Sequence, residues 1–262
     1  MKPEDIRSAA RALHRAERDR VQIGLLTEAF PDMTLDNAYA VQAELVRLKM
    51  AEGRRQIGWK IGLTSRAMQT ALGITTPDSG VLFDDMLFEN GASIPPGRFI
   101  APRIEAELAF VLKTPLSGRV TRDQVIAATE YVVPALEILD TRIERISASG
   151  APRKVQDTIA DNAANAGLVL GDARLDPAGN LRWQGAIVVR DGVVEETGLG
   201  AGVLNDPVMG IVWLAERLAQ QGAALEPGEI VLSGSFIRPI ECPPRSRIDA
   251  DFGPAGVVSC QF

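Results

Sequence analysis

The stretch RIEAELAFV, residues 103–111, has the pattern of a β-strand but carries two acids inside an otherwise apolar run. Side chains of a strand alternate between its two faces, so Glu105 and Glu107 are predicted to share one face and Ala106 and Leu108 the other. The apolar residues that follow indicate a buried strand. Because two carboxylates on a buried face repel each other and lose hydration, this stretch predicts a sheet core that needs a compensating group.

A hard cation is the natural compensating group, and a third acid lies in a similar stretch. YVVPALEIL, residues 131–139, carries Glu137 inside an apolar run. Carboxylate oxygens suit Mg²⁺ or Mn²⁺, so Glu105, Glu107 and Glu137 form a plausible all-oxygen metal site. Spacing alone leaves open the alternative of a solvated strand face, which needs no metal.

The composition is that of an ordinary globular protein. The chain has 262 residues, 46% hydrophobic and 24% charged, with a formal net charge of −6. It contains no long basic run and no apolar stretch long enough to span a bilayer, and residues 1–5 lack a signal-peptide pattern. We therefore expect a cytoplasmic protein that binds neither nucleic acid nor membrane. Cys242 and Cys260 fit no metal spacing, which predicts free thiols.

The histidine content restricts the chemistry. His14 is the one histidine in the sequence and lies in an amphipathic stretch of helical periodicity. A Ser-His-Asp triad, a Cys-His pair or a His-ligated zinc site needs a histidine near the reacting atoms, whereas His14 is interpreted as a surface or packing residue. Acid–base catalysis is therefore expected from carboxylates, lysine, tyrosine or metal-bound water.

Periodicity predicts one domain with a helical N-terminal part, residues 1–55, and a β-rich core, residues 56–262. Helical periodicity extends from residue 3 to about residue 27, and Thr34 is a good N-cap for a second helix that Gly53 ends. Strands are predicted at residues 57–63, 80–83, 105–112, 167–170, 186–189, 229–233 and 257–262. Further helices are predicted at residues 122–128 and 208–220, and a hairpin at residues 190–193. Strands and helices do not alternate regularly, which argues against a doubly wound sheet.

Lys60 and Asp78 are candidates for acid–base chemistry. Lys60 lies in GWKIGLTS, residues 58–65, within an apolar strand. Burial disfavours an ammonium group and a neighbouring carboxylate restores it, so Lys60 is a candidate for holding a carboxylate, moving a proton or forming a Schiff base. The alternatives are a strand-edge lysine whose tip reaches water and, for Asp78, an aspartate that caps its own turn.

Two further segments carry polar groups. DTIADNAANAG, residues 157–167, contains Asn162 and either lines a pocket or forms a loop held by its own side chains. LSGSFIRP, residues 232–239, offers backbone N–H groups to an anion, and Ser235 and Arg238 are candidates for holding a carboxylate. A plain turn with a surface arginine is the alternative. The sequence contains no GxGxxG or Walker pattern, so nucleotide binding is unsupported.

Several motifs together resemble the 2-keto-4-pentenoate hydratase family of the fumarylacetoacetate hydrolase superfamily. The resemblance covers essentially the whole chain, and the motifs occur in the family's order. They are GWKIGLTSRAMQ (58–69), DDMLFENG (84–91), FIAPRIEAELAFVL (99–112), YVVPALEILDTR (131–142), RKVQDTIADNAANAG (153–167) and SGSFIRP (233–239).

The resemblance implies an α+β fold, with a mixed β-roll core of the fumarylacetoacetate hydrolase C-terminal type and an N-terminal helical region. It implies Mg²⁺ or Mn²⁺ bound by Glu105, Glu107 and Glu137, and catalytic roles for Lys60 and Asp78. It also implies a homo-oligomer, since pentamers and decamers occur in the family.

One position departs from the family pattern. Many relatives have His or Tyr where this chain has Trp59. An indole cannot act as a base, so no proton transfer is assigned to this position. Because Trp59 and Lys60 are adjacent in a predicted strand, their side chains are expected on opposite faces. Trp59 is therefore interpreted as a core-packing residue or an oligomer contact.

The activity implied by the resemblance is metal-dependent addition of water to a 2-hydroxy-2,4-dienoate in aromatic meta-cleavage catabolism. A dicarboxylate such as 2-hydroxyhepta-2,4-dienedioate is the favoured small-molecule substrate. The alternatives are decarboxylation of a 4-oxalocrotonate-type 2-oxo acid, hydrolysis of an acylpyruvate, a Schiff-base aldolase reaction at Lys60, and an inactive partner subunit of a decarboxylase.

Overall fold

The computed structural model describes residues 1–72 and 74–262 of the chain. The helices within these ranges are α1 (Pro3–Asp19), α2 (Leu26–Ala29), α3 (Leu35–Ala51), α4 (Arg66–Leu72), α5 (Arg122–Ala128), α6 (Val155–Ala160) and α7 (Val208–Gln220). The strands are β1 (Gln56–Gly62), β2 (Asp78–Phe83), β3 (Leu87–Phe88), β4 (Ala92–Ser93), β5 (Arg103–Leu112), β6 (Thr129–Leu139), β7 (Asn165–Leu170), β8 (Gly185–Arg190), β9 (Val193–Leu199), β10 (Ile230–Leu232), β11 (Ile240–Glu241), β12 (Arg247–Asp251) and β13 (Val257–Gln261). None of the helices in the described part of the chain is long and apolar enough to cross a membrane.

The N-terminal helices follow their sequence signals with one difference. Thr34 caps α3 as predicted, because its hydroxyl accepts a hydrogen bond from the backbone N–H of Asn37 at 3.2 Å. The helix ends just before Gly53, whose φ of +94° suits glycine. The first helix is shorter than the predicted span of residues 3 to about 27. It ends at Asp19 because Arg20 adopts a left-handed conformation, with φ of 57°.

Two mixed sheets form the β-rich part. The first has the strand order β2-β1-β10-β5-β6-β7-β3, with β11 paired to β5, and the second has the order β4-β13-β12-β8-β9. The pairs β1/β10, β3/β7 and β13/β4 are parallel and the other pairs antiparallel. The predicted hairpin joins β8 to β9 through Asp191 and Gly192, which have φ values of 52° and 84°.

The alternation predicted for β5 decides which of its residues enter the core. Ala106 and Leu108 are fully buried in the main apolar cluster, which also includes residues of β12, β13 and α7. Ala109 lies in a different cluster, on the same face of β5 as Glu105 and Glu107. One face of β5 therefore packs into the main apolar cluster, and the other carries the acids beside a smaller apolar cluster. The N-terminal helices form a third cluster with residues of α6.

Other residues behave as the sequence indicated. Trp59 packs against two of the apolar clusters, as expected for a core-packing residue. His14 lies on α1, where its Nε2 atom is 3.1 Å from a carboxylate oxygen of Glu52. Cys242 and Cys260 are free and buried. Burial raises the pKa of the Cys260 thiol to about 12, so the thiol stays protonated at neutral pH.

A buried ion pair holds the segment between α6 and β7. The backbone N–H and the guanidinium of Arg142 donate to the Asp161 carboxylate, and further guanidinium N–H groups donate to the carbonyls of Asp161 and Asn165. The Arg142 side chain is 2% exposed and that of Asp161 is fully buried. Removing one charge of such a pair leaves the other unpaired in the interior.

Replacement of Asp161 by asparagine is therefore expected to lower the free energy of unfolding by about 3–5 kcal/mol. Urea unfolding followed by circular dichroism measures the change. The matched control is Glu216→Gln, which breaks the exposed pair between Arg119 and Glu216 and should change stability by less than about 1 kcal/mol. Equal effects of the two substitutions would show that the buried pair does not hold this segment.

Candidate active site

Three carboxylates meet on the face of the first sheet that lies opposite the core. Glu105 and Glu137 are direct cross-strand partners on β5 and β6, and Glu107 lies two residues further along β5. The three residues each offer an oxygen within 4.8 Å of the others. Glu107 and Glu137 are buried, while Glu105 is half-buried. The pairing of β5 with β6 thus assembles the three acids that the sequence singled out.

The state of these oxygens fits a bound cation. Glu107 Oε1 and Glu137 Oε2 are buried, and no hydrogen bond from the described residues reaches them, while Glu137 Oε1 faces the ammonium group of Lys60. Burial and the charge of Glu137 raise the pKa of Glu105 to about 8, and burial also raises the pKa values of Glu107 and Glu137. Three ionised carboxylates sharing this site are unfavourable unless a positive charge joins them. The donor set is therefore that of a hard divalent cation.

The position of Lys60 depends on the curl of the first sheet. Lys60 lies on β1, three strands from β6 in the order of the sheet, yet its Nζ atom is 3.2 Å from Glu137 Oε1. The same Nζ donates a hydrogen bond to the Ala163 carbonyl at 3.2 Å. Burial opposes the charged ammonium, but Glu137, Asp78 and the other acids outweigh it and raise the pKa of Lys60. Lys60 therefore carries a proton at neutral pH.

Asp78 faces the same space from the first position of β2. The Asp78 carboxylate is buried, and Asp78 is the cross-strand partner of Gly62. Its Oδ1 atom has no donor among the described residues. Burial raises the pKa of Asp78, although Lys60 partly offsets the effect. Asp78 is therefore a carboxylate with a free acceptor oxygen beside a charged lysine.

Gly62 makes this arrangement possible. A Cβ atom at Gly62 would collide with the carboxylate of Asp78 and would lie 3.2 Å from Lys60 Nζ. Any larger residue would push the lysine and the aspartate apart. The sequence placed a glycine on each side of the strand lysine, but this function of Gly62 is visible only in the folded chain.

The segment after α6 supplies a carbonyl to the site. Asn162, Ala163 and Ala164 have φ values of 52°, 52° and 57°, an unfavourable run for residues other than glycine. The side chain of Asn162 accepts a hydrogen bond from the Val81 N–H and donates one to the Val81 carbonyl, at 2.8 and 2.9 Å. These bonds anchor the segment to β2, so that the Ala163 carbonyl meets Lys60. Of the two interpretations of this segment, the structure supports the loop held by its own side chains, because the Asn162 side chain is used to hold the loop in place.

A cavity of about 330 Å³ opens above these groups, and Lys60, Asp78 and Glu105 contribute to its wall. Ser235 and Arg238, which the sequence suggested for holding a carboxylate, also line it. The Ser235 hydroxyl donates a hydrogen bond to the Ile237 carbonyl and accepts one from the Ile237 N–H. Unlike these residues, Asn162 does not line the cavity in the described structure.

The charge of Arg238 is already matched. Its exposed guanidinium donates to the carboxylate of Glu196. The backbone N–H of Gly234, in the same loop, donates to Glu107 Oε2 at 2.8 Å. The loop that was predicted to present N–H groups to an anion therefore presents one to a carboxylate of the protein itself.

Arg153 lines the same cavity and was not selected from the sequence. It is half-buried, and its Nη1 donates to the Thr141 hydroxyl at 2.7 Å. The only sequence signal was its place at the start of the RKVQDTIADNAANAG motif. A lone arginine in a loop gives no periodic pattern that points to a cavity.

The fold and the acidic trio define the class of protein. A putative fumarylacetoacetate hydrolase family protein from Yersinia pestis CO92 superposes with a TM-score of 0.56 at 18% identity, covering 78% of this chain and 91% of that chain, which shows a common fold. The 4-oxalocrotonate decarboxylase from Pseudomonas putida G7, complexed with magnesium and adipate, superposes with a TM-score of 0.94 at 32% identity, covering 100% of this chain and 98% of the other. The chain has the fumarylacetoacetate hydrolase fold, as the resemblance implied.

Sequence comparison gives the family. The 2-oxo-hept-4-ene-1,7-dioate hydratase of Escherichia coli is 51% identical over 97% of this chain and 96% of its own length. The 2-keto-4-pentenoate hydratase of Paraburkholderia xenovorans (strain LB400) is 38% identical over 100% of this chain and 96% of its own. No protein-family model matches the chain. The chain belongs to the 2-keto-4-pentenoate hydratase family.

Proposed function

We propose that this protein is a divalent-metal-dependent hydratase that adds water to a 2-hydroxy-2,4-dienoate and releases a 4-hydroxy-2-oxo acid. The observation that carries the proposal is that Lys60 lies beside the acidic trio, and that Lys60, Asp78 and Glu105 line one cavity. The preferred substrate is 2-hydroxyhepta-2,4-dienedioate, which is supported by the 51% identity with the Escherichia coli hydratase. Such a reaction belongs to the catabolism of aromatic compounds by meta-cleavage.

Glu105, Glu107 and Glu137 would hold the metal, Mg²⁺ or Mn²⁺. A metal bound there would supply positive charge that stabilises negative charge on the C2 oxygen of the substrate. Glu107 Oε1 and Glu137 Oε2, which accept no hydrogen bond from the described residues, support this assignment, as does the magnesium named for the decarboxylase of Pseudomonas putida G7.

Lys60 and Asp78 are proposed to carry the proton transfers. Because Lys60 is held in its charged form by surrounding carboxylates, it is suited to donate a proton or a hydrogen bond to the substrate. Asp78 Oδ1 has no donor among the described residues and is suited to accept a hydrogen bond from water and orient it. The two groups thus offer a donor and an acceptor to one bound molecule.

The reaction balances in two stages. The C2 hydroxyl of the dienol loses its proton while C5 gains one, which gives a 2-oxo-3-enoate. Water then adds its oxygen to C4, and the protons redistribute so that C3 gains one and the new hydroxyl keeps one. Each stage needs one proton donor and one acceptor near the chain of the substrate, in keeping with the pair formed by Lys60 and Asp78.

Assembly into a homo-oligomer is also proposed. Several apolar side chains are exposed on and near the second sheet, including Trp183, Ile187, Leu199 and Val257, and Trp183 is 73% exposed. A surface of this kind is typical of a protein–protein contact. The number of subunits is not fixed by these residues.

Activity is tested with freshly generated 2-hydroxyhepta-2,4-dienedioate and, separately, 2-hydroxypenta-2,4-dienoate. With Mg²⁺ we expect loss of the dienol absorbance, a product heavier by one water, and a faster reaction on the dicarboxylate. Removing the metal with a chelator should lower the rate by at least about 100-fold, because the charge that stabilises the C2 oxygen is lost. A sample without protein gives the rate of spontaneous ketonisation.

Decarboxylation is the second candidate, because the structure superposes closely on a 4-oxalocrotonate decarboxylase. The same protein is therefore incubated with 4-oxalocrotonate, and the product mass is measured. Loss of carbon dioxide from 4-oxalocrotonate, with no gain of water by either dienol, would replace the hydratase proposal by the decarboxylase. No reaction on any of the three compounds would favour a partner subunit without activity of its own.

A further inference from the structure

The cavity wall contains more positive charge than the proposed chemistry uses. Its cationic side chains are those of Lys60, Arg103, Arg153, Lys154 and Arg238. Lys60 is paired with Glu137, Arg103 with Glu241 and Arg238 with Glu196. Across residues 1–72 and 74–262, Arg153 and Lys154 form no ion pair, and of these two Arg153 is the more buried.

Arg153 is held in place without being neutralised. Its backbone N–H donates to the Arg145 carbonyl at 2.9 Å, and its Nη1 donates to the Thr141 hydroxyl at 2.7 Å. The acids that act on its pKa, Asp161 and Asp157, are already bonded to other groups. No acceptor among the described residues takes the remaining guanidinium N–H groups, so they can donate to a molecule in the cavity.

The charges of neighbouring arginines act on one another near Arg153. Burial and the charges of Arg103 and Arg153 lower the pKa of Arg145 to about 10, and Asp140 and Glu241 offset this only in part. Arg103 and Arg153 both line the cavity, and Arg103 is paired with Glu241. A bound carboxylate would match the planar guanidinium of Arg153 with two parallel hydrogen bonds.

The place of Arg153 relative to the acids is also informative. Arg153 lines this cavity together with Asp78 and Glu105, and it also lines a second cavity to which, in the described structure, none of Glu105, Glu107 and Glu137 contributes. Arg153 therefore lies where the two cavities adjoin, whereas the acidic trio does not. A substrate whose C1 end lies at the trio would direct its far end toward other parts of the wall, where Arg153 is the unpaired and partly buried arginine.

We propose that Arg153 binds the distal carboxylate of a dicarboxylic substrate and sets the preference for dicarboxylates over monocarboxylates, an inference that rests on the proposed function. Arg153 is then a specificity-determining residue and takes no part in the proton transfers. Arg238, which the sequence suggested for holding a carboxylate, has its charge matched by Glu196 and contributes less.

The test measures binding and needs no turnover. The Mg²⁺-loaded protein is titrated calorimetrically with 2-oxoheptanedioate and with 2-oxoheptanoate, which have the same seven-carbon chain and differ in the distal carboxylate. Neither has a carbon–carbon double bond, so neither can undergo the proposed addition of water. We expect the unaltered protein to favour the diacid, and Arg153→Met to weaken binding of the diacid by about 30-fold or more while binding of the monoacid changes by less than about 3-fold.

Two further variants separate a local role from a structural one. Arg153→Lys keeps the charge but loses the fork, so it should recover part of the preference for the diacid. Arg145→Met removes a neighbouring charge that does not line the cavity, and should keep the preference. Equal weakening of both ligands in Arg153→Met, or an unchanged preference for the diacid, would overturn the assignment.

The result also stands apart from the assay of activity. If neither dienol is hydrated but the preference for the diacid depends on Arg153, the proposed reaction is wrong and the carboxylate site is retained. If the dienols are hydrated and the preference does not depend on Arg153, the proposed reaction is retained and the assignment of Arg153 is wrong.

Discussion

Replacing Glu107 by glutamine is expected to lower the affinity for Mg²⁺ by at least about 100-fold and to lower turnover in parallel. Glu107 Oε1 is buried without a hydrogen-bond partner in the described structure, and Oε2 is fixed by the Gly234 N–H. The substitution removes one of the three anionic ligands and keeps the shape of the side chain. Even groups that only support a metal ligand typically change affinity by about 10- to 100-fold, so a ligand itself should have at least that effect.

The metal-free protein provides an independent readout of this substitution. Burial and the charges of Glu137 and Glu105 raise the pKa of Glu107 well above its ordinary value. Without metal, the environment therefore favours the uncharged form of this carboxyl, and glutamine is an uncharged side chain of the same shape. We expect the metal-free variant to unfold at nearly the same temperature as the unaltered protein, whereas its stabilisation by Mg²⁺ should be lost.

The matched control for Glu107→Gln is Glu130→Gln. Glu130 lies on β6 but is exposed, so its replacement should leave metal affinity and turnover unchanged. Calorimetric titration with Mg²⁺ and the dienol assay measure both quantities for each variant. If Glu107→Gln retained metal affinity and turnover, the acidic trio would not be the metal site.

Replacing Lys60 by methionine is expected to lower kcat by about 100- to 10,000-fold, the range typical for loss of a general acid–base group. The methionine has a similar length but no proton to give. Because Lys60 Nζ lies 3.2 Å from Glu137 Oε1, its positive charge also repels a metal at the trio. The variant should therefore bind Mg²⁺ at least as tightly as the unaltered protein, although it turns over slowly.

Slow turnover together with undiminished Mg²⁺ binding would show that Lys60→Met loses proton transfer and not the metal. Lys60→Arg keeps the positive charge near Glu137 but holds its proton too firmly to transfer it, so it should remain slow. Substrate-saturated kinetics and Mg²⁺ titration are measured on the same samples. Near-normal kcat in Lys60→Met would remove Lys60 from the mechanism.

Borohydride trapping tests the remaining role proposed for Lys60 from the sequence, that of a Schiff base. The ion pair with Glu137 and the hydrogen bond to Ala163 keep the amine protonated, and a protonated amine does not attack a carbonyl. We therefore expect no mass increase when the protein is treated with borohydride in the presence of substrate. A covalent adduct at Lys60 would favour the aldolase alternative.

Local pattern was sufficient to predict much of the fold. The helices at residues 122–128 and 208–220 have the predicted bounds, and Thr34 caps its helix. The alternation in β5 placed Glu105 and Glu107 together and away from the core. These features follow from a period of 2.0 or 3.6 residues and from short-range hydrogen bonds, which involve only neighbours in the sequence.

Pattern alone did not identify which distant residues would meet. The polar segment around Asn162 suggested a residue that lines a pocket, but the side-chain amide of Asn162 forms hydrogen bonds with the backbone of Val81 in β2. The ion pair between Arg142 and Asp161 is buried, although charged residues in a polar stretch suggest a surface. Periodicity fixes the face on which a side chain lies but gives no information about its partner across the molecule.

The sequence by itself determined that a buried strand carries two acids, that a third acid and a strand lysine accompany them, and that histidine is absent from the β-rich part. Only the tertiary structure decided that Lys60, three strands away from β6, meets Glu137, and that Arg153, which forms no ion pair with the described residues, lines the same cavity. The reason is physical. The curl of a sheet and the course of its connecting loops depend on the packing of the whole chain, and distances between strands that are not neighbours follow from that packing.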